Sequence, residues 1–231
     1  MTVATAAPAD MLPVWTVTNG LFPSNCYVCE TGAAGACFIV DPGLDPAPIE
    51  ALLAQRGLEP VAVVCTHGHF DHAGSAAHFQ QRHACPVYLS SAELKTLRSS
   101  NFLLMAFKVP VRMQMPDVTA IGAEEPIVAI GECRIRFHPA PGHTPGSCLV
   151  QHGNTLFTGD TIYSRGVGLS RLPGEDSEQL RRSILDAWNR FPDGILVRPG
   201  HGESCTLGEI KRENQALLRF LDAPRSPLSA S

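Results

Sequence analysis

Thr66-His67-Gly68-His69-Phe70-Asp71-His72 gathers three imidazoles and a carboxylate into one short stretch, directly after the apolar run Val61-Ala62-Val63-Val64-Cys65. Neutral imidazole and carboxylate oxygen together suit zinc, iron or manganese. Alternate residues on an extended chain point the same way, so His67 and His69 can converge on one ion. His72 is offset from that pair and sits beside Asp71, placed to serve a second ion that a three-ligand zinc site would not need. With 9 histidines in 231 residues, so dense a set at the end of a strand-like run is not what composition alone produces.

Three further segments each set a metal-capable side chain among glycine and proline after a strand-like stretch. They are Pro141-Gly142-His143-Thr144-Pro145-Gly146, Phe157-Thr158-Gly159-Asp160 and Val197-Arg198-Pro199-Gly200-His201-Gly202. Glycine and proline allow abrupt turns that aim a side chain off the end of a sheet, where open α/β folds keep their sites. Any one of these alone reads more readily as an ordinary turn. Their order carries more weight.

That order, His-x-His-x-Asp-His, then Pro-Gly-His-Thr-Pro-Gly, Thr-Gly-Asp and Pro-Gly-His-Gly, resembles the metallo-β-lactamase-fold hydrolases. Within them it is most similar to the glyoxalase II (hydroxyacylglutathione hydrolase) branch, in the short form without a C-terminal helical domain. The resemblance runs from about Val14 to about Leu221, with supporting matches at Asn25-Cys26-Tyr27, Val40-Asp41-Pro42-Gly43 and Thr206-Leu207-Gly208-Glu209. It implies an α/β fold of the four-layer αβ/βα sandwich type, with metals in the cleft at the sheet edges. His67, His69 and His143 would hold a first metal, Asp71, His72 and His201 a second, and Asp160 would bridge them. Two divalent cations about 3.5 to 4 Å apart, zinc first and iron or manganese as alternatives, would share a water activated to hydroxide and polarise the substrate carbonyl. Asp71 would also orient that hydroxide. Asp41 would lie beneath the site and hydrogen-bond a ligand imidazole. No serine has the strand-to-helix elbow of an acyl-enzyme hydrolase.

The implied reaction is hydrolysis of an acyl thioester, the acyl group riding on a small thiol or a carrier. One departure bears on the thiol. Glyoxalase-like members continue past Thr-Gly-Asp through a Gly-Arg-Thr-Asp loop, whereas this chain reads Ser164-Arg165-Gly166-Val167-Gly168-Leu169-Ser170-Arg171-Leu172-Pro173-Gly174. The missing acid points away from glutathione. Arg165, Arg171, Lys211 and Arg212 could meet an anionic carrier, although exposed basic residues are more often solvated surface charges. The alternative from another class is a persulfide dioxygenase-like oxidoreductase with one iron on the first-site ligands, whose usual Pro-Ala-His-Asp ending differs from Pro199-Gly200-His201-Gly202. A lactonase or other ester hydrolase and a non-catalytic binding protein rank lower, the latter because the ligand set is complete. The common dizinc lactamases carry cysteine where this chain has Asp160.

Composition bounds the rest. A chain of 231 residues with 44% hydrophobic content fits one domain over 1–231, with flexible tails at about 1–12 and 223–231. The net charge of -4 gives no general attraction to nucleic acid. Met1 to Asp10 lacks the basic start of a signal peptide, and no stretch approaches a membrane span. The 8 cysteines are scattered singly through apolar segments, which reads as reduced thiols in the cytoplasm.

To position the ligands, strands are expected at Val14–Thr18, Cys26–Glu30, Cys37–Asp41, Val61–Cys65, Pro86–Leu89, Ile127–Ile130, Cys133–Pro139, Ser147–His152, Thr155–Thr158 and Gly194–Arg198. Helices are expected at Pro46–Arg56, His72–Arg82, Ser177–Asn189 and Leu207–Leu221. The segment from Ser91 to about Met115 carries Leu94, Leu97 and Phe102-Leu103-Leu104-Met105-Ala106-Phe107. It reads as a helix on the core, a homodimer contact, or an apolar lid over an acyl chain. His78, His83, His138 and His152 have no second ligand close in sequence and read as packed or surface residues.

Overall fold

Short β-branched and apolar runs interrupted by glycine and proline turns build two sheets in this computed structural model, which describes residues 12–122, 124 and 126–223. The expected tails therefore fall almost wholly outside the described residues. Val14–Thr18 (β1), Asn25–Glu30 (β2), Ala36–Val40 (β3), Glu59–Val64 (β4), Val87–Ser90 (β5) and Val118–Ile121 (β6) form the first sheet in that order. Its first two pairings are antiparallel and the next three parallel. Parallel neighbours need a crossover. Ala47–Arg56 (α1), Phe70–Ala73 (α2), Ala76–His83 (α3) and Leu94–Ala106 (α4) supply the crossovers.

Ile127–Ile130 (β7), Cys133–Pro139 (β8), Cys148–His152 (β9), Thr155–Gly159 (β10), Leu196–Pro199 (β11) and Cys205–Thr206 (β12) form the second sheet, ordered β12-β11-β10-β9-β8-β7. Only β10 and β11 pair in parallel, and Ser177–Arg190 (α5) crosses between them. Leu207–Glu213 (α6) and Gln215–Asp222 (α7) follow β12.

Alternation along the strands sorts the core into three layers of side chains. Phe38 and Val40 of β3 point between the sheets and pack with Tyr27, Phe137, Val150 and Phe157. Their neighbours Cys37 and Ile39 point the other way, against Ile49, Phe79, Leu97 and Leu104 of the helices. Leu156 and Val197 of the second sheet pack outward on Leu180, Ile184, Ile210 and Leu217. The result is helices, sheet, sheet, helices, the expected four-layer α/β sandwich.

Two expected helices are broken and two strands are added. The helix expected over His72–Arg82 begins at Phe70 and breaks at Gly74-Ser75. The helix expected over Leu207–Leu221 is split by Asn214, whose side chain caps α7 by accepting the Leu217 N–H at 3.1 Å and donates to the Tyr163 and Gly166 carbonyls. β6 and β12 are additional short strands. All eight cysteines are free thiols. Among the described residues, no helix is long and apolar enough to cross a membrane.

Within 91–115, α4 buries Leu97, Leu103 and Leu104 against the first sheet's helical layer, and Met113 is also buried. Its other face leaves Phe102 and Met105 64% and 67% exposed, and Phe107 just beyond it 49%. The core reading holds for one face, while the other is open.

Candidate metal centre

The seven sequence-singled residues arrive from both sheets at one edge. His67 and His69 follow β4, Asp71 and His72 lie in α2, His143 follows β8, Asp160 follows β10 and His201 follows β11. Three sets of potential ligand atoms each lie within 4.8 Å of one another: His67, His69 and His143; His67, His72 and Asp160; Asp71, His72 and His201. The first and third sets match the two expected ligand groups. Asp160 stands between them, with Oδ2 3.4 Å from His143 Nε2 and Oδ1 3.2 Å from His72 Nε2.

Outer hydrogen bonds fix which way each ring presents its lone pair. Thr66 Oγ1 donates to Asp41 Oδ2 at 2.7 Å, so toward His67 Nδ1, 3.1 Å away, it acts as acceptor and leaves His67 Nε2 without a proton. His143 Nδ1 donates to the Gly168 carbonyl at 2.9 Å and His201 Nδ1 to the Pro23 carbonyl at 2.5 Å. His72 Nδ1 lies 3.0 Å from Asp41 Oδ2, the contact expected of Asp41. Asp41 reaches it from a left-handed backbone conformation (φ 50°) at the end of β3, where it also accepts the Thr66 N–H at 2.7 Å. Four Nε2 atoms therefore face inward, and His69 adds Nδ1, 3.1 Å from His143 Nε2.

This arrangement fits divalent cations. His67 Nε2, His72 Nε2 and Asp160 Oδ1 are buried and meet no hydrogen-bond geometry, the last two although they lie 3.2 Å apart. Buried polar atoms without partners are costly, so three at one point call for an occupant that all of them can bind. An imidazole and carboxylate donor set accommodates zinc, iron or manganese. The backbone yields space for it: a side chain at Gly200 would run into the Asp160 carboxylate and the His72 ring.

Electrostatics divide the rings into two kinds. Burial, reinforced by neighbouring imidazoles, pushes His67 well below its ordinary value, and burial lowers His69 to about 4. Burial also works against charge on His72, but the Asp160 and Asp71 carboxylates overcome it and carry His72 well upward. His201 is likewise opposed by burial and raised to about 10 by the Asp160 and Asp71 carboxylates, 3.6 and 3.5 Å from its Nε2. For Asp71 and Asp160 burial acts upward, yet His72 and His201 hold both below the usual carboxylate range. Absent cations, protons on His72 and His201 balance the two carboxylates.

Supporting residues hold the candidate ligands in place, and one of them, Glu93, was not singled out by sequence. Glu93, buried to 0% exposure, accepts the Gly68 N–H on Oε2 and the Gly146 N–H on Oε1, both at 2.7 Å. One carboxylate thus ties the His67–His69 turn to the His143 loop. A side chain at Gly146 would press on Ala92 and the Glu93 backbone, so glycine is needed for this approach. Asn25 and Tyr27 secure the His201 loop by donating to the Pro199 carbonyl at 3.0 and 2.6 Å. In sequence Glu93 resembles any helix-surface glutamate; only the tertiary contacts distinguish it. The remaining histidines lie elsewhere: His78 and His83 pair with Glu50 and Glu59, while His138 and His152 bond Gln151 and Cys133. Lys211, one of the basic residues considered for a carrier, is engaged by Asp193 at 2.6 Å.

The centre opens into a cavity of about 280 Å³. His69, Asp71, His143, Asp160 and His201 form its floor. Phe22, Phe70 and Phe107 form one wall, their ring centroids 4.9 to 6.1 Å apart. Val167, Leu169 and Leu172 of the loop after β10 form the other. Tyr163 also lines it; burial and the nearby Asp160 carboxylate raise its hydroxyl well above the usual range, so it stays protonated.

The family model described as the metallo-beta-lactamase superfamily matches residues 19–201. A protein named hydroxyacylglutathione hydrolase from Anaeromyxobacter dehalogenans is 35% identical over 175 residues, covering 76% of this chain and 60% of that protein. Among solved structures, TTHA1623 in a di-iron-bound form is 31% identical with a TM-score of 0.76, covering 87% of this chain and 98% of that one. BLEG-1 B3 metallo-beta-lactamase is 27% identical with a TM-score of 0.79, covering 89% and 99%.

Proposed function

We propose that this chain, which belongs to the metallo-beta-lactamase superfamily, is a dinuclear metal-dependent hydrolase that cleaves acyl thioesters. The observation that carries the reading is the set of seven clustered donor residues, partly orphaned and buried, five of which floor an apolar cavity. His67, His69 and His143 would hold one cation, Asp71, His72 and His201 the other, with Asp160 between. Bound there, two divalent cations supply a Lewis acid for the carbonyl and a water acidified toward neutrality. Zinc is the first candidate, and the di-iron form of the 31% identical relative supports iron as an alternative.

The chain's own residues do the positioning. Asp71, held ionised, lines the cavity and can accept a hydrogen bond from the attacking water, fixing its orientation. Asp41 and the Gly168 and Pro23 carbonyls keep the imidazoles from rotating. The Phe22, Phe70 and Phe107 wall excludes water and suits an aliphatic or aromatic acyl group better than a short hydroxyacyl one. Similarity to a hydroxyacylglutathione hydrolase supports thioester chemistry.

The test is a panel of acyl thioesters of increasing chain length, run on protein analysed for metal. Each buried methylene can add up to about 0.8 kcal/mol, so kcat/KM should climb with length, and Phe107→Ala should flatten the climb. Best activity on lactoylglutathione without length dependence would make the acyl group small. Hydrolysis of β-lactams alone, or one iron per chain with oxygen uptake on persulfide, would replace the thioesterase reading.

A further inference from the structure

A second cavity of about 320 Å³ adjoins the first, and His69 lines both. The partition between them is one turn of the loop after β10: Leu172 faces the metal cavity, and the next residues, Pro173 and Gly174, face the second. A substrate whose reacting carbonyl sits by His69 therefore has two directions in which to extend.

The two spaces differ in chemistry. The metal cavity beyond its ligands is aromatic and aliphatic, with Ser170 as its only aliphatic hydroxyl. The second presents Lys95, Thr96, Ser99 and Phe102 from α4, with Pro145, Pro173 and Gly174 from the loops completing its lining. Lys95 is its one charged side chain, His69 being held neutral by burial. Ser99 lies four residues after Lys95 and three after Thr96, spacings that share a helix face, so one ammonium and two hydroxyls line the same cavity, Ser99 with its oxygen as acceptor because its proton goes to the Lys95 carbonyl at 3.0 Å. An acyl chain has nothing to offer them. An amide-bearing arm that ends in an anionic group does: it can lay its methylenes on Phe102, hydrogen-bond the hydroxyls and meet Lys95 with its charge.

We propose that the second cavity binds the thiol arm of the substrate and selects an anionic thiol, with the acyl group in the metal cavity on the other side of His69. This rests on the thioesterase reading and deepens it. The shared chemistry is a thiol carrying carboxylate or phosphate, and the two sources are separated by experiment.

One acyl group is offered to the metal-loaded enzyme on glutathione, on coenzyme A and on the neutral thiol N-acetylcysteamine, using the native protein and Lys95→Met. The ratio of kcat/KM for the anionic esters over the neutral ester should fall about tenfold in the variant, mostly through KM, on the scale of one charge-assisted hydrogen bond at a partly exposed site. Added salt should shrink the native preference and leave the variant's nearly flat. A larger fall for the glutathione ester assigns the group to carboxylate, and one for the coenzyme A ester to phosphate. Hydrolysis with an unchanged ratio would overturn this assignment while leaving the thioesterase standing. If no thioester is hydrolysed, that reading fails, and calorimetric binding of free glutathione and coenzyme A decides the cavity by itself: Lys95-dependent binding sustains it, and none sinks it.

Discussion

Replacing Glu93 with glutamine should cost this protein far more than an isosteric change of one helix residue usually does. The carboxylate is fully buried, and each oxygen accepts one backbone N–H at 2.7 Å, from Gly68 and from Gly146. Glutamine keeps the shape but only one acceptor, so its amide N–H₂ must face one of the two glycine N–H groups. A hydrogen bond to a charged group contributes about 1.5–3 kcal/mol, and a stranded buried donor costs about 1–3 kcal/mol more. Removing a buried charge returns part of this. A net loss of about 2–4 kcal/mol follows, which for a domain of this size lowers Tm by roughly 5–15 °C. Because Gly68 lies between His67 and His69 and Gly146 just beyond His143, the damage should fall on that ligand group. Thermal unfolding gives the stability, and release of metal to a chelator gives the site: Glu93→Gln should lose one cation early while the cation at Asp71, His72 and His201 leaves at the native rate. A variant melting within about 1 °C of native and retaining both cations equally well would refute the clamp.

Other consequences can be measured on the same protein. Elemental analysis should give about two cations per chain, and Asp160→Ala or His69→Ala should abolish hydrolysis and weaken metal retention, whereas His83→Ala, whose ring pairs with Glu59, should do neither. Equal damage from His83→Ala with an intact fold would mean the histidines are wrongly sorted. At pH 7 the metal-free chain should carry protons on His72 and His201, both raised above the ordinary imidazole value near 6.5, so cation binding must expel them. Binding enthalpies measured in buffers of different ionisation heat should then differ, and identical values would show both rings already neutral. The same shifts shape stability without metal. His201, with its folded pKa raised to about 10, contributes stability that is complete below 6.5 and lost as pH rises toward 10. His69, lowered to about 4, contributes stability present above 6.5 and lost as pH falls toward 4. Tm of the metal-free chain should therefore decline on both sides of neutrality, and cations, by replacing the protons on His201, should remove the alkaline decline.

How much of this was legible in sequence depends on how far each residue's partners lie along the chain. The contiguous run His67 to His72 announces itself, because strand period and a short turn decide locally which side chains converge. His143, Asp160 and His201 stand alone in sequence and were recognised only through the order of their glycine-bearing turns; β8, β10 and β11 bring them together. The amphipathic reading of 91–115 left core helix, dimer contact and lid as alternatives; α4 packs one face on the core, and Phe107 just beyond it joins Phe22 and Phe70 beside the candidate ligands. Asn214, which splits the last helix, looked like an ordinary helix residue because its four backbone partners include Tyr163 and Gly166 about fifty positions away. Glu93 is the extreme case. Its acceptors serve glycines 25 and 53 residues distant in opposite directions, so no local period or motif reveals it. The candidate ligands are readable because their residue types are rare and their turns distinctive. The groups that hold those ligands in place are common residues, and what sets them apart is burial beside backbone N–H groups that have no other partner.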